Sequence, residues 1–392
     1  MSPVCKHTDD LSGCRSLLSM AIFNSSQPPI RAPDVILEPE SSWSASILSA
    51  TDIVPSKLTW TIRTPFFSQN STVLHYSLPK RTDTVVLYHQ GHGGHSCDPF
   101  VEGRAWPFLA AGLDVLELFM PLKTCNVIAS RDIAALKGRH DFYRRWHNAG
   151  SSTSEKPTLR FFIEPVVLAA AYAQSSALSY RHVALVGLSG GGWTIAAAAS
   201  LLPNVKLTVA VAGLCRDPAL QNAMTAYHYE ESALQELADQ RVLYMLAARE
   251  KGRAMLQVYH EREIASICPA NRLGWSHIRN LDALVEARTR GHMHSAVTNE
   301  SEHSFHLSDA AITLRAIELL RRDALTSESL NHLPCDMLSS DFSTSGAAAG
   351  LWEEQCLRMT KPPVNLTWST TVDGLVPVRG TRGFRAPFYE SV

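Results

Sequence analysis

The chain of 392 residues reads as an α/β protein: a mostly parallel, twisted sheet with helices on both faces. Three observations predict it. Compact apolar and β-branched runs, Thr84–Tyr88, Val183–Leu188, Lys206–Ala212 and Met255–Tyr259, alternate with longer helical patterns, as strands covered on both faces do. Glycine-rich or charged loops follow several of these runs, so reactive groups are expected at the carboxyl ends of the strands. Finally, 45% hydrophobic content over this length is enough to bury a large core.

Residues 1 to 55, rich in Ser and Pro with little periodicity, read as an irregular arm. Strands at Leu58–Ile62 and Thr72–Leu78 begin the sheet, and Thr84–Tyr88 continues it. A helix over Trp106–Ala111, ended by Gly112, leads to a strand over Leu113–Phe119. The polar segment 126–156 is placed as a lid or substrate-binding insertion, and Phe161–Ala177 as an apolar helix. Glu164, inside that helix before Pro165, reads as a buried or capping carboxylate. Beyond the strand at Lys206–Ala212, Arg241–Ala247 is either helical or a pairing segment. The last strand falls at Met293–Thr298. Asn299–Phe305 is then a loop, and His306-Leu307-Ser308 opens a helix that runs to Arg321, with Ser308 followed by Asp309 suiting a helix start. These readings divide the chain into the arm, a domain over 56–324 and an extension over 325–392, whose last part, 364–392, has the spacing of a hairpin.

Near-balanced charge, 36 Lys+Arg against 37 Asp+Glu, points away from nucleic acid. No apolar run reaches the roughly 18 to 20 residues needed to span a bilayer, and Leu17–Phe23 makes a poor signal-peptide core. The compartment stays open, with the cytoplasm favoured. Eight cysteines without a CxxC pair exclude a zinc ribbon; Cys97 and Cys125 follow strands at one edge and could pair or stay free. Sequons begin at Asn24, Asn70, Asn299 and Asn365 and do not decide the compartment. Oligomeric state is not legible.

The chemistry concentrates at Val183–Thr194, where a buried-strand run meets Gly187-Leu188-Ser189-Gly190-Gly191 and then an Ala-rich helix. A sharp strand-to-helix turn needs glycines on both sides of Ser189, pushes its hydroxyl out of the sheet, and aims the amide of Gly190 at a developing oxyanion. The loop His89-Gln90-Gly91-His92-Gly93-Gly94-His95 is expected to supply a second donor, from Gly91 or His92. A serine nucleophile needs a base and the base a carboxylate. Chain order assigns the base to His306, with His303 as alternate, and the acid to Glu263, with Glu261 as alternate. Two other readings stand beside this one: a non-catalytic protein using the same cleft to bind a ligand, and a metal-dependent hydrolase built on His89, His92 and His95, which the intervening glycines oppose.

Through Phe162-Ile163-Glu164-Pro165, Gly187 to Thr194 (GLSGGGWT), Val211-Ala212-Gly213, Gly252-Arg253, Leu256 to Tyr259 and His306-Leu307-Ser308, the chain resembles the α/β-hydrolase superfamily over residues 58 to 322. The closest likeness is to a little-characterised branch with the same elbow. The resemblance implies an α/β-hydrolase fold, Ser189 as nucleophile, His306 as base and an acid in the loop after Tyr259. There Glu263 stands where an aspartate is usual. It further implies a serine hydrolase acting on a small-molecule carboxylic ester through an acyl-enzyme, with no cofactor.

Overall fold

The computed structural model describes residues 5, 11, 13–37, 55–64, 68–80, 82–92, 105–122, 124–126, 157–213, 229–261, 275–298, 300–331 and 333. The segment 126–156, apart from Asn126, and the hairpin expected over 364–392 lie outside them. Nine strands form one sheet: β1 (Val35–Leu37), β2 (Ser56–Arg63), β3 (Ser68–Tyr76), β4 (Thr84–His89), β5 (Asp114–Leu118), β6 (His182–Leu188), β7 (Leu207–Val211), β8 (Ala254–His260) and β9 (His292–Thr298). Their order is β1-β2-β3-β5-β4-β6-β7-β8-β9. β1 to β3 join antiparallel, β3 pairs antiparallel with β5, and every pairing from β5 through β9 is parallel.

Helices cover both faces because the central strands are apolar on both. Val85 and Leu87 of β4 join one cluster, Val86 and Tyr88 the other. The first face is covered by α1 (Cys14–Phe23), with α2 (Trp106–Ala110) on the opposite side, then by α3 (Arg160–Gln174), α4 (Gly190–Leu201) and, past α5 (Tyr229–Leu237), α6 (Gln240–Ala247). After α7 (Trp275–Arg288), α8 (Leu307–Arg321) and α9 (Ser327–Asn331) join α2 on the second face. Every residue of α4 is buried, the pattern of a helix enclosed on all sides. Trp193 on α4 is fully buried and its ring packs on Phe162 of α3 at 5.2 Å.

One expectation is corrected. Residues 1 to 55 are not irregular throughout: α1 sends Leu18, Ile22 and Phe23 into the core, and β1 pairs with β2. Ser and Pro lower the average hydropathy there and hide one amphipathic helix. α8 opens at His306-Leu307-Ser308 and ends at Arg321, as expected. His306 is its N-cap, and its backbone N–H donates to Asp309 Oδ2 at 2.8 Å. Arg241–Ala247 is helical, and Glu164 is buried against Arg160 Nε at 2.8 Å.

The parallel register brings His89, Gly187, Val211, Val258, His260 and Thr298 to one edge: His89 lies beside Gly187, Leu188 beside Val211, Val211 beside Val258 and His260 beside Thr298. The described candidate residues therefore sit along the carboxyl edge.

Candidate active site

Ser189 connects β6 to α4 with φ 54° and ψ −122°, a conformation that non-glycine residues avoid. Such strain persists only where the surroundings enforce it. Here Ser189 N–H donates to the carbonyl of Val211 on β7 at 2.8 Å, and Ser189 O accepts from Gly192 N–H at 2.9 Å, so strand and helix both grip the turn. A Cβ added at Gly191 would run into the carbonyl oxygens of His89 and Gln90, which is why the second residue of the GGG run must be bare where β4 passes the helix.

The loop after β4 reaches the same point. A Cβ placed on Gly91 would come within 2.8 Å of Ser189 Cβ and 3.4 Å of its Oγ, so the Gly91 backbone lies directly against the serine. One placed on Gly190 would strike the imidazole of His92, which therefore lies over the first residue of α4. Gly190 is in the first turn of α4, where amides have no acceptor within the helix. Gly91, His92 and Gly190, proposed from sequence as oxyanion donors, are thus gathered around Ser189. The loop is anchored from below: Gln90 N–H donates to Leu118 O at 3.0 Å and Gln90 Nε2 to Glu117 Oε1 at 2.5 Å, while the Tyr76 hydroxyl donates to Glu117 Oε2 at 3.0 Å. His89 is fully buried with its Nδ1 2.7 Å from the Gln90 carbonyl, and burial pulls its pKa down to about 4. It is a neutral imidazole donating from Nδ1.

His306 stands at the head of α8, half-buried. Its Nε2–H donates to the Glu302 carbonyl at 3.0 Å, and its Nδ1 lies 3.5 Å from Glu300 Oε2. Ser308 Oγ holds the other oxygen of Glu300 at 2.7 Å. His306, the candidate base, thus has a carboxylate neighbour, but its Nε2 is engaged by a carbonyl, and among the described residues Ser189 Oγ makes no hydrogen bond. Apo geometry of this kind does not disqualify a pair, because catalytic contacts often form only with substrate in place.

Of the other predicted residues, Glu263 and His95 lie outside the described residues. His303 is partly exposed on the same loop as His306. Glu261 follows β8 and donates its backbone N–H to Thr298 O at 2.8 Å, but among the described residues its carboxylate pairs with neither histidine. Sequence reasoning missed Glu300, which sits six residues before His306. The signal was there, a carboxylate on the loop after the last strand, but chain order directs attention to the loop before it. Among the described residues no group of three or more His, Cys, Asp or Glu is arranged to hold a metal ion. Cys125 is disulfide-bonded, and the thiol of buried Cys5 donates to the Cys14 carbonyl at 3.5 Å; Cys97 lies outside the described residues.

No protein-family model matches the chain, and no curated protein does. Solved structures do. Acetyl xylan esterase 1 from Thermoanaerobacterium superposes with a TM-score of 0.53 at 13% identity, over 82% of this chain and 95% of that one. S-formylglutathione hydrolase from Agrobacterium tumefaciens matches at 0.44 and 15%, over 74% and 99%. Est1E from Butyrivibrio proteoclasticus matches at 0.42 and 11%, over 68% and 99%. With its largely parallel nine-stranded sheet, helices on both faces and a strained serine between strand and helix, the chain has the α/β-hydrolase fold. At this identity the fold is what is shared. Among the described residues no helix is long and apolar enough to cross a membrane.

Proposed function

We propose that the protein is a serine hydrolase that cleaves a carboxylic ester through an acyl-enzyme. The observation that carries this reading is the strained Ser189 at the carboxyl edge with the Gly91 backbone against its side chain. A serine forced into this conformation while glycine backbone crowds its hydroxyl is an arrangement that packing alone does not require.

In this reading His306 swings from the Glu302 carbonyl so that Nε2 accepts the Ser189 proton as Oγ attacks the ester carbonyl. The amides of Gly190 and of Gly91 or His92 donate to the resulting oxyanion. The imidazolium then gives its proton to the departing alcohol, and a water, deprotonated by the same imidazole, releases the acid and restores Ser189. Glu300, facing Nδ1 at 3.5 Å, is the carboxylate best supported as the partner of His306; Glu263 remains a candidate from chain order. No metal or cofactor is needed for any step. Acyl groups on carbohydrate alcohols are the first substrates to screen, since the neighbour with the TM-score of 0.53 is named for one.

The test is labelling by a fluorophosphonate probe with peptide mapping. Wild type is expected to label at Ser189, and Ser189→Ala to lose labelling and about 10⁴-fold in ester turnover while melting at the wild-type temperature. The engagement of His306 Nε2 by a carbonyl favours one second reading, a ligand-binding protein on a hydrolase scaffold. Folded wild type that neither labels nor turns over esters would establish that reading instead.

A further inference from the structure

At the end of β8, where the order of the fold places a triad acid, stands His260. It is fully buried, and its Nε2 lies 3.1 Å from Oδ2 of Asp309, itself fully buried in the first turn of α8. That carboxylate holds three things together. Oδ2 also accepts the backbone N–H of His306 at 2.8 Å, and Oδ1 lies 3.5 Å from the Thr298 hydroxyl at the end of β9. The His260 ring in turn meets the His306 ring edge-on, with centroids 5.3 Å apart and planes at 71°. Backbone, ring and strand ends are thus tied through one buried side chain, Asp309.

We propose that Asp309 and His260 are the positioning residues for His306, joining the ends of β8 and β9 to the backbone and ring of the base. The proposal rests on the hydrolase reading above. Asp309 does not face the His306 imidazole nitrogens, since Nδ1 points at Glu300 and Nε2 at Glu302. It acts on where the base stands, not on which proton it carries. Stability alone is a poor reason for the pair: two ionisable groups withdrawn wholly from water recover their desolvation cost only in part, and apolar replacements are commonly no worse. Holding a reacting group is a better one, because a displacement of about 1 Å in such a group costs on the order of 10²-fold in rate.

The experiment compares wild type with Asp309→Ala, Asp309→Asn, His260→Ala and His260→Gln, reading thermal melting, fluorophosphonate labelling, and kcat and KM on p-nitrophenyl acetate. Asparagine still accepts the His306 N–H, and glutamine still donates to Asp309. The expected result is a fall in kcat of about 30- to 100-fold in each Ala variant, with KM within about twofold, and recovery to within about fivefold of wild type in Asp309→Asn and His260→Gln. Folded Ala variants with kcat within about threefold of wild type would overturn the proposal. So would Ala variants that cannot fold, or conservative variants as slow as the Ala ones, since either would make the pair a structural element. Wild type that fails to label fails the hydrolase reading itself, an outcome the variants cannot mimic.

Discussion

The two halves of the site are built by opposite means. The half around Ser189, the proposed nucleophile, is backbone: a strained turn, bare glycines and amides, buried between β6, α4 and the end of β4. The half around His306, the proposed base, is side chains: His306, Glu300, Asp309 and His260, drawn from a loop, a helix and a strand, with the His306 ring partly open to solvent. The first is set as soon as the core packs. The second depends on contacts that can break singly, and its working nitrogen rests on a carbonyl instead of the serine. Geometry made of backbone is preorganised by the fold; geometry made of side chains can wait for a substrate.

That contrast can be tested from its largest effect down. On the base side, His306→Ala is expected to lower kcat by about 10³-fold and leave the melting temperature within a few degrees, since alanine keeps the backbone N–H that Asp309 accepts at the head of α8. Unchanged turnover would remove His306 from the mechanism. On the nucleophile side, Trp193→Ala strikes the packing under the turn. It should cost about 4 kcal/mol, measured by urea unfolding, and take activity down through loss of folded protein. A Trp193→Ala protein of native stability would show that the elbow does not depend on α4 packing.

His89 beneath the oxyanion loop gives the same side a pH signature. Burial holds its folded pKa at about 4, while in the unfolded chain it protonates near 6.5. Between those values the unfolded state binds the extra proton. Stability is therefore full above about pH 6.5 and is lost as pH falls toward 4, by up to about 3 kcal/mol. Urea midpoints at pH 7 and pH 4.5 measure it, and His89→Gln should flatten the slope; an equal slope in the variant would assign the acid loss elsewhere. The smallest effect belongs to Glu300→Gln. It keeps the shape but removes the charge facing His306 Nδ1, and about a tenfold fall in kcat is expected. If Glu300→Gln is silent, the acid is to be sought in the loop holding Glu263.

Much of the fold was legible because it is local. The runs at Thr84–Tyr88, Val183–Leu188 and Met255–Tyr259 announce strands by composition alone, and β4, β6 and β8 stand there within a residue or two at each end. The helix at Cys14–Phe23 was missed because its apolar residues are diluted by flanking Ser and Pro, and only docking against α4 makes it a core element. In the site, Ser189 and Gly190 could be named because their turn is written in consecutive residues, and Gly91 and His92 because a glycine-rich loop follows a strand. Glu300 carried a signal, a carboxylate on the loop after the last strand, that chain order passed over; the link from Asp309 to His260, which spans 49 positions, carried none.

The sequence by itself thus determined the alternating plan, the strained elbow and the glycines that let β4 and α4 meet there, since these follow from the conformational freedom and bulk of neighbouring residues. Which carboxylate faces His306, and what holds that histidine in place, was decided only by tertiary structure. Those partners come together when β8, β9 and α8 close around one buried carboxylate, and no spacing along the chain encodes that approach.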